Sequence, residues 1–468
     1  MGRLRHELHP ILHQAHRRVH DARAGSDVVD HSLAPWPLID APTLSVSDTH
    51  ALTRRRRVGP TWLTLRRVAK ARILVTPTRH TWGESRVSAN KNFFESPQAA
   101  AIYKHKLIKS YIPAWAGKVG STSTGKRVVV YDAYSGPGRY EDNEPGSPEL
   151  LVDTAAAMAA LRSVRTVFSE KENAYCERLS AMLAEKEINP ATYDVRVGPV
   201  EDHMDAVLAE AGDLPLFVFL DPFGLTIPFD RVVQVMKGRD KSGYSRVLQP
   251  KTELLMNFSY EAVRRISGVV RSDKDYRARE GQIESLNRAL GDTWWQALAR
   301  DEPEGWVQQV LEGYADRVAA AVGGGCGYIT AAVADSLEAK PVYELILFTL
   351  HLDGFWEMAR SMSMARKEWR QWLADRREQE TGGQVEFRGL DFDDDELAWV
   401  EEIAANIESV LKATARFRIE SELGTILGRT LGLARETHIR RALKALQKKG
   451  VIADVPKGDL QRAYIARA

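Results

Sequence analysis

Five short runs of β-forming residues, each followed by a stretch of helical periodicity, limit the possible folds of this chain most. They are "VVVYD" from Val128, "VRTVFSE" from Val164, "YDVRV" from Tyr193, "LPLFVFLD" from Leu214 and "KTELLMNFS" from Lys251. Continuous apolar runs of this length belong to strands buried on both faces, and strand-helix alternation at this spacing predicts a doubly wound parallel sheet. "VYELILFT" from Val342 adds a closing strand and "LDGFWEMARSMS" a helix after it. Between about 268 and 323 the pattern is helical only, with Trp294, Trp295 and Trp306, and reads as a helical insertion.

In open α/β sheets ligands bind beyond the carboxyl ends of the strands. At the end of the first strand stands "DAYSGPGRY", in which Asp132 leads into a turn of Tyr134, Ser135, Gly136, Pro137 and Gly138. If that turn holds an adenosine-type cofactor, the second strand should end in an acid able to accept both ribose hydroxyls, and Glu170 stands there. The third ends in "GPVED", bringing Glu201 or Asp202 to the adenine side of such a ligand. The fourth ends in "DPFG", Asp221 to Gly224. The 38 residues from Asp132 to Glu170 exceed the roughly 20 usual for dinucleotide enzymes, and the first turn lacks a full G-x-G-x-x-G, so a nicotinamide or flavin cofactor is disfavoured.

This set resembles the class I S-adenosylmethionine-dependent methyltransferases. The resemblance implies that the turn and Asp132 hold the methionine part, Glu170 the ribose, and Glu201 or Asp202 the adenine. It implies that Asp221, Pro222 and Phe223 form the catalytic tetrapeptide of the amino-directed branch, where acid and proline carbonyl hold a target amine and the aromatic stacks on its base. "DPFG" departs from that tetrapeptide by lacking its second proline. More of the chain, in "KHKLIKSYIPAW", "YDAYSGPGRY", "GSPELL", "FLDPFG" and "VYELILFTLHLDG", is similar to the bacterial three-Cys-motif partner proteins (TcmP), over roughly residues 80 to 465. "KHKLI" to "GPGRY" is also similar to the RlmJ-type ribosomal RNA adenine methyltransferases, a likeness that places Lys104 and His105 near the cofactor. TcmP membership implies a partner protein whose three cysteines suggest an iron-sulfur centre.

The first 80 residues lie outside the main pattern. They carry 14 Arg or Lys against 6 Asp or Glu, including Arg54 to Arg57, and read as a basic, poorly ordered extension. His6, His9, His13, His16 and His20 recur at helical spacing, but Pro10 interrupts them and no carboxylates complete a site, so no metal is expected. Cys176 and Cys326 lie 150 positions apart, which indicates two buried thiols rather than zinc or a disulfide. No apolar run reaches the roughly 18 residues of a membrane span and no signal-peptide core is present, so a cytoplasmic protein without membrane contact is expected.

The methyltransferase-like domain is expected over 81–376, a linker over 377–393, and a separate winged-helix domain over 394–468: three helices, then the strands "VIADV" and "LQRAYIARA" joined by "PKGD". The third helix presents Arg435, His438, Arg440, Arg441 and Lys444, a basic set suited to a nucleic-acid groove. Three functions fit. One is methyl transfer to an exocyclic amine of a nucleic-acid base. Another is a non-catalytic subunit of methyltransferase fold that docks the three-Cys-motif partner and presents nucleic acid. The last is a regulator whose sheet senses a nucleoside.

Overall fold

The computed structural model describes residues 98–222, 224–237, 251–272, 279–336, 339–381 and 392–468. All of them fall within one compact unit, residues 59–468. The basic extension, its histidine stripe and Phe223 lie outside the described residues.

Helix α1 (Ala99–Val119) precedes the first strand, β1 (Arg127–Asp132). Then follow α2 (Ser147–Met158), β2 (Ser163–Glu170), α3 (Asn173–Glu185), β3 (Tyr193–Val197), α4 (Val200–Ala211), β4 (Leu216–Leu220), α5 (Phe229–Lys237) and β5 (Thr252–Ser259). The first five strands are parallel to one another. Their apolar residues alternate between two cores, as period-2 side chains on a doubly covered sheet must. Val128 and Val130 of β1 and Phe217 and Phe219 of β4 join one cluster. Val129, Tyr131, Leu216, Val218 and Leu220 join the other.

The segment after β5 is helical: α6 (Tyr260–Arg271), α7 (Arg279–Leu290), α8 (Trp295–Asp301) and α9 (Trp306–Val322). It pads the second face, where Trp295 and Tyr314 are fully buried. β6 (Gly327–Val333), which its small residues concealed in the sequence, and β7 (Tyr343–Thr349) then complete the sheet, followed by α10 (Leu352–Thr381). The order is β3-β2-β1-β4-β5-β7-β6. β7 runs antiparallel to both neighbours, so the closing strands make a hairpin and the fold is a mixed α/β sheet of seven strands.

The C-terminal segment contains α11 (Phe392–Ala413), β8 (Arg416–Arg418), the short α12 (Leu423–Leu427), α13 (Glu436–Lys448) and β9 (Tyr464–Ala466). Here "VIADV" is no strand: Ile452 makes one bridge, to Arg467, and the two-stranded ribbon is β8 with β9. Pro456, which has no N–H to give a ladder, follows closely and helps stop the pairing. Ile403, Ile407, Ile439 and Leu443 pack into the same apolar cluster as α1 and α10. Gln461 ties the segment to α1 and α10 by bonding Lys118 and Asp353. Among the described residues no helix is long and apolar enough to cross a membrane. Cys176 is buried and Cys326 only half-buried, and neither forms a disulfide.

Candidate active site at the reversal of strand order

Strand order reverses between β1, which is followed by β2 on one side, and β4, which is followed by β5 on the other. That crevice at the carboxyl ends is where open α/β sheets take ligands. Asp132, the last residue of β1, is fully buried. Its Oδ2 accepts the Ser147 hydroxyl at 2.7 Å and its Oδ1 the Tyr134 N–H at 3.3 Å. Ser135 donates its hydroxyl to the Asp132 carbonyl at 2.9 Å. Burial pushes the Asp132 carboxyl up to about 7, and the nearby Asp221 adds to the shift against the pull of Ser147, the Tyr134 N–H and Lys104.

The two turn glycines have different reasons to be bare. Both have positive φ, 62° at Gly136 and 86° at Gly138. Gly136 donates its N–H to Glu170 Oε2 at 2.8 Å, and Glu170 Oε1 accepts the Glu172 N–H at 2.9 Å. A Cβ on Gly138 would stand 2.9 Å from Met182 and 3.0 Å from Leu179. Gly138 therefore clears room for α3. Of the two, Gly136 is the one joined to Glu170. Pro137 is buried between them. Arg139 next clamps α2 to α3 by bonding Glu149 at 2.6 Å and Glu185 at 2.9 Å.

Lys104 of α1 reaches across to Asp221 at the end of β4 and forms an ion pair with its Oδ2. Asn257 of β5 donates its side-chain N–H to the other oxygen, Oδ1, at 2.8 Å. Burial opposes the Lys104 charge, but Asp221, Tyr140 and Asp132 outweigh it and hold its pKa above the ordinary lysine value. The neighbouring His105 is buried beside Lys104 and Lys106. Burial first and those charges second lower it to about 3, so it is a neutral ring, 6.0 Å from that of Tyr140. Asn257 Oδ1 is buried and accepts no hydrogen bond among the described residues. An unused buried acceptor beside a carboxylate is costly unless a donor arrives.

The structure thus gathers Lys104, Asp132 and Asp221, with His105 behind Lys104 and Glu170 joined through Gly136. Pro222 is buried next to Asp221. Glu201 and Asp202 sit exposed on the first turn of α4, with Glu201 close enough for its charge to act on Tyr134. Asn257 and Tyr140 were not among the residues read from the sequence. The signal for Asn257 was a lone amide in the apolar run "LLMNFS", at the carboxyl end of a central strand.

The basic set on α13 divides. His438 is buried, accepts the Arg435 N–H on Nδ1 at 3.0 Å and lies 3.4 Å from Glu396. Arg440 is held by Glu436 at 2.6 Å and donates to the Pro456 carbonyl at 3.1 Å. Arg441 pairs with Glu396 at 3.0 Å. Lys444 is exposed.

No family model matches the chain, and no curated protein matches it. Solved structures do resemble it. The O-methyltransferase TomG from Streptomyces achromogenes, in complex with SAM, is 14% identical over 62% of this chain and 90% of that chain, at a TM-score of 0.28. The plantazolicin methyltransferase BpumL, in complex with SAH, is 9% identical over 54% and 86%, at 0.29. Cofactor-bound Rv0187 from MTB is 12% identical over 62% and 87%, at 0.27. All three are loose likenesses.

Proposed function

We propose that the chain is an S-adenosylmethionine-dependent methyltransferase of the TcmP type that acts on an exocyclic amine of a nucleic-acid base. The observation that carries this is the meeting of Asp221 with Asn257, whose buried Oδ1 lacks a donor, at the reversal of strand order. The cradle fits the cofactor. Glu170 uses two of its roughly four lone-pair sites on Gly136 and Glu172, which leaves acceptors for ribose hydroxyls. Buried Asp132, with its carboxyl near 7, suits an arriving ammonium, which would favour its charged form.

The cofactor would supply a methyl group on sulfonium sulfur. Asp221 and Asn257 Oδ1 would accept the two N–H bonds of the target amine, keeping its lone pair aimed at the methyl carbon, a gain of positioning. The proton shed by the methylated nitrogen would leave through Asp221 or water. The C-terminal segment, which we read as a winged helix, would grip the nucleic acid with the exposed Lys444 and the start of α13, and a three-Cys-motif protein would be its partner.

One observation favours the non-catalytic reading. Lys104 already occupies an oxygen of Asp221, so an incoming amine must share or displace it. Calorimetric titration of the whole chain with S-adenosylhomocysteine decides first. Micromolar-range binding that is lost in Glu170→Ala supports the cofactor site. Silence in the unaltered chain overturns it and leaves the docking subunit.

A further inference from the structure

Where α10, α11 and the start of α13 meet, the surface opens into a cavity of about 210 Å³. Its walls carry four cations, Arg366, Lys367, Arg370 and Arg435, and one carboxylate, Glu396. Glu396 is already matched by Arg441, which approaches at 3.0 Å from outside the lining. Arg370 leans on Asp395 at 3.7 Å. That leaves Arg366, Lys367 and Arg435 without an ion pair among the described residues. His438 adds no charge, because burial holds it below its ordinary value, with Glu396 pulling the other way.

Arg366 is the telling member. It is half-buried, and burial lowers its pKa, with Arg370 adding to the shift and Tyr103 and Asp395 opposing it. Its guanidinium carbon stands 6.0 Å from the Trp369 ring. The Arg435 guanidinium meets the Met364 sulfur, at 3.9 Å. Guanidiniums gathered in a recess with so little to pair them cost free energy, and an anion with several acceptor oxygens offsets it. Trp399 gives the cavity an apolar wall. The volume lies below the roughly 300–1,000 Å³ of pockets that enclose a whole organic ligand, so it fits a phosphoryl group with little beyond its sugar.

We propose that this cavity binds a phosphoryl group, with Arg366 and Arg435 as its guanidinium clamp and Lys367 at its mouth. The phosphoryl can belong to a free nucleotide or to a nucleic-acid strand. The inference goes beyond the methyl-transfer reading and shares no residue with the crevice at Asp132 and Asp221.

The test is calorimetric titration of the full chain at low salt with pyrophosphate, with AMP and with a short single-stranded oligonucleotide. It is repeated on Arg366→Gln, Arg435→Gln and Lys367→Ala, with Lys449→Ala as a cation outside the cavity. Each cavity variant is expected to weaken binding, by about tenfold or more for the two arginines, and Lys449→Ala is not. Binding of pyrophosphate or AMP that follows this pattern assigns the site to free nucleotides. Binding of the oligonucleotide alone, with the same pattern, assigns it to a strand. Silence with all three probes, or binding that Arg435→Gln and Lys367→Ala leave untouched, overturns the proposal. These two variants keep the test open if Arg366→Gln lowers the melting temperature too far. S-adenosylhomocysteine binding is read in parallel, so loss of one site is distinguishable from loss of the other.

Discussion

Lys104 and Asp221, 117 positions apart in sequence, meet as an ion pair above the carboxyl edge of the sheet, and Asn257 fixes the second oxygen of the acid. One residue comes from the helix ahead of the first strand, the other from the end of the fourth. Asp221 helps hold the Lys104 pKa above its ordinary value. Lys104→Met should therefore leave Asp221 poorly compensated. Breaking a buried pair costs about 3–5 kcal/mol; Asp221 keeps some solvent contact, which reduces the expected loss to roughly 2–3 kcal/mol. Urea denaturation of Lys104→Met, Asp221→Asn and the double variant checks this. Additive losses within about 0.5 kcal/mol would show that the pair contributes nothing specific.

The cofactor reading makes a pH-dependent claim. Burial pushes the Asp132 carboxyl up to about 7, and an ammonium bound beside it would prefer the ionised form. Affinity for S-adenosylhomocysteine should then rise as pH climbs through that value, by about tenfold between pH 6 and pH 8, with proton release on binding. Asp132→Asn should remove the dependence. A flat profile in the unaltered chain means that Asp132 does not meet the ammonium.

Gly136 and Gly138 should respond differently to alanine, although the sequence offers both as clearance for a ligand. Both have positive φ, so each substitution carries backbone strain of about 1–2 kcal/mol. Gly138→Ala also drives a methyl into Leu179 and Met182 and should add about 1–3 kcal/mol of overpacking. Thermal denaturation should rank Gly138→Ala the less stable. Calorimetry at a temperature where both are folded should show the greater loss of cofactor affinity in Gly136→Ala.

The glycines also mark how far the sequence could be read. The strand and helix runs were legible because continuous apolar stretches and a serine-proline start such as Ser147 and Pro148 are local signals. β6 was concealed because "GYITAAV" is composed largely of small residues. The strand-end acids could be placed by counting elements. Their partners could not, since Asp221 meets Lys104 and Asn257 only through sheet order and the approach of α1. The basic face of α13 was legible as charge, but the internal use of Arg440 and Arg441 depends on Glu396 and on a turn at Pro456, which no helical periodicity encodes.

At the other end of β5, Glu253 is fully buried, accepting the Tyr111 hydroxyl at 2.5 Å and the Thr349 hydroxyl at 2.8 Å. Burial raises its carboxyl to about 7, against the pull of those two bonds, and Asp353 raises it further. An acid whose folded value exceeds its unfolded one binds more protons when folded. Its stabilisation is complete below about pH 4.5 and is lost as pH rises through about 7. Glu253→Gln keeps an acceptor and cannot ionise, so it should be more stable than the unaltered chain at pH 8, by roughly 2–3 kcal/mol, and should flatten the profile between pH 5 and pH 8. Gly354→Ala tests the same cluster by shape, because its Cβ would stand 2.6 Å from both Glu253 Oε1 and Thr349 Oγ1. It should destabilise by about 1–3 kcal/mol at pH 5. Denaturant titrations at pH 5 and pH 8 decide the matter: a Glu253→Gln variant that is less stable at pH 8 would mean that the ionised carboxylate is accommodated and that its two hydroxyl donors outweigh burial.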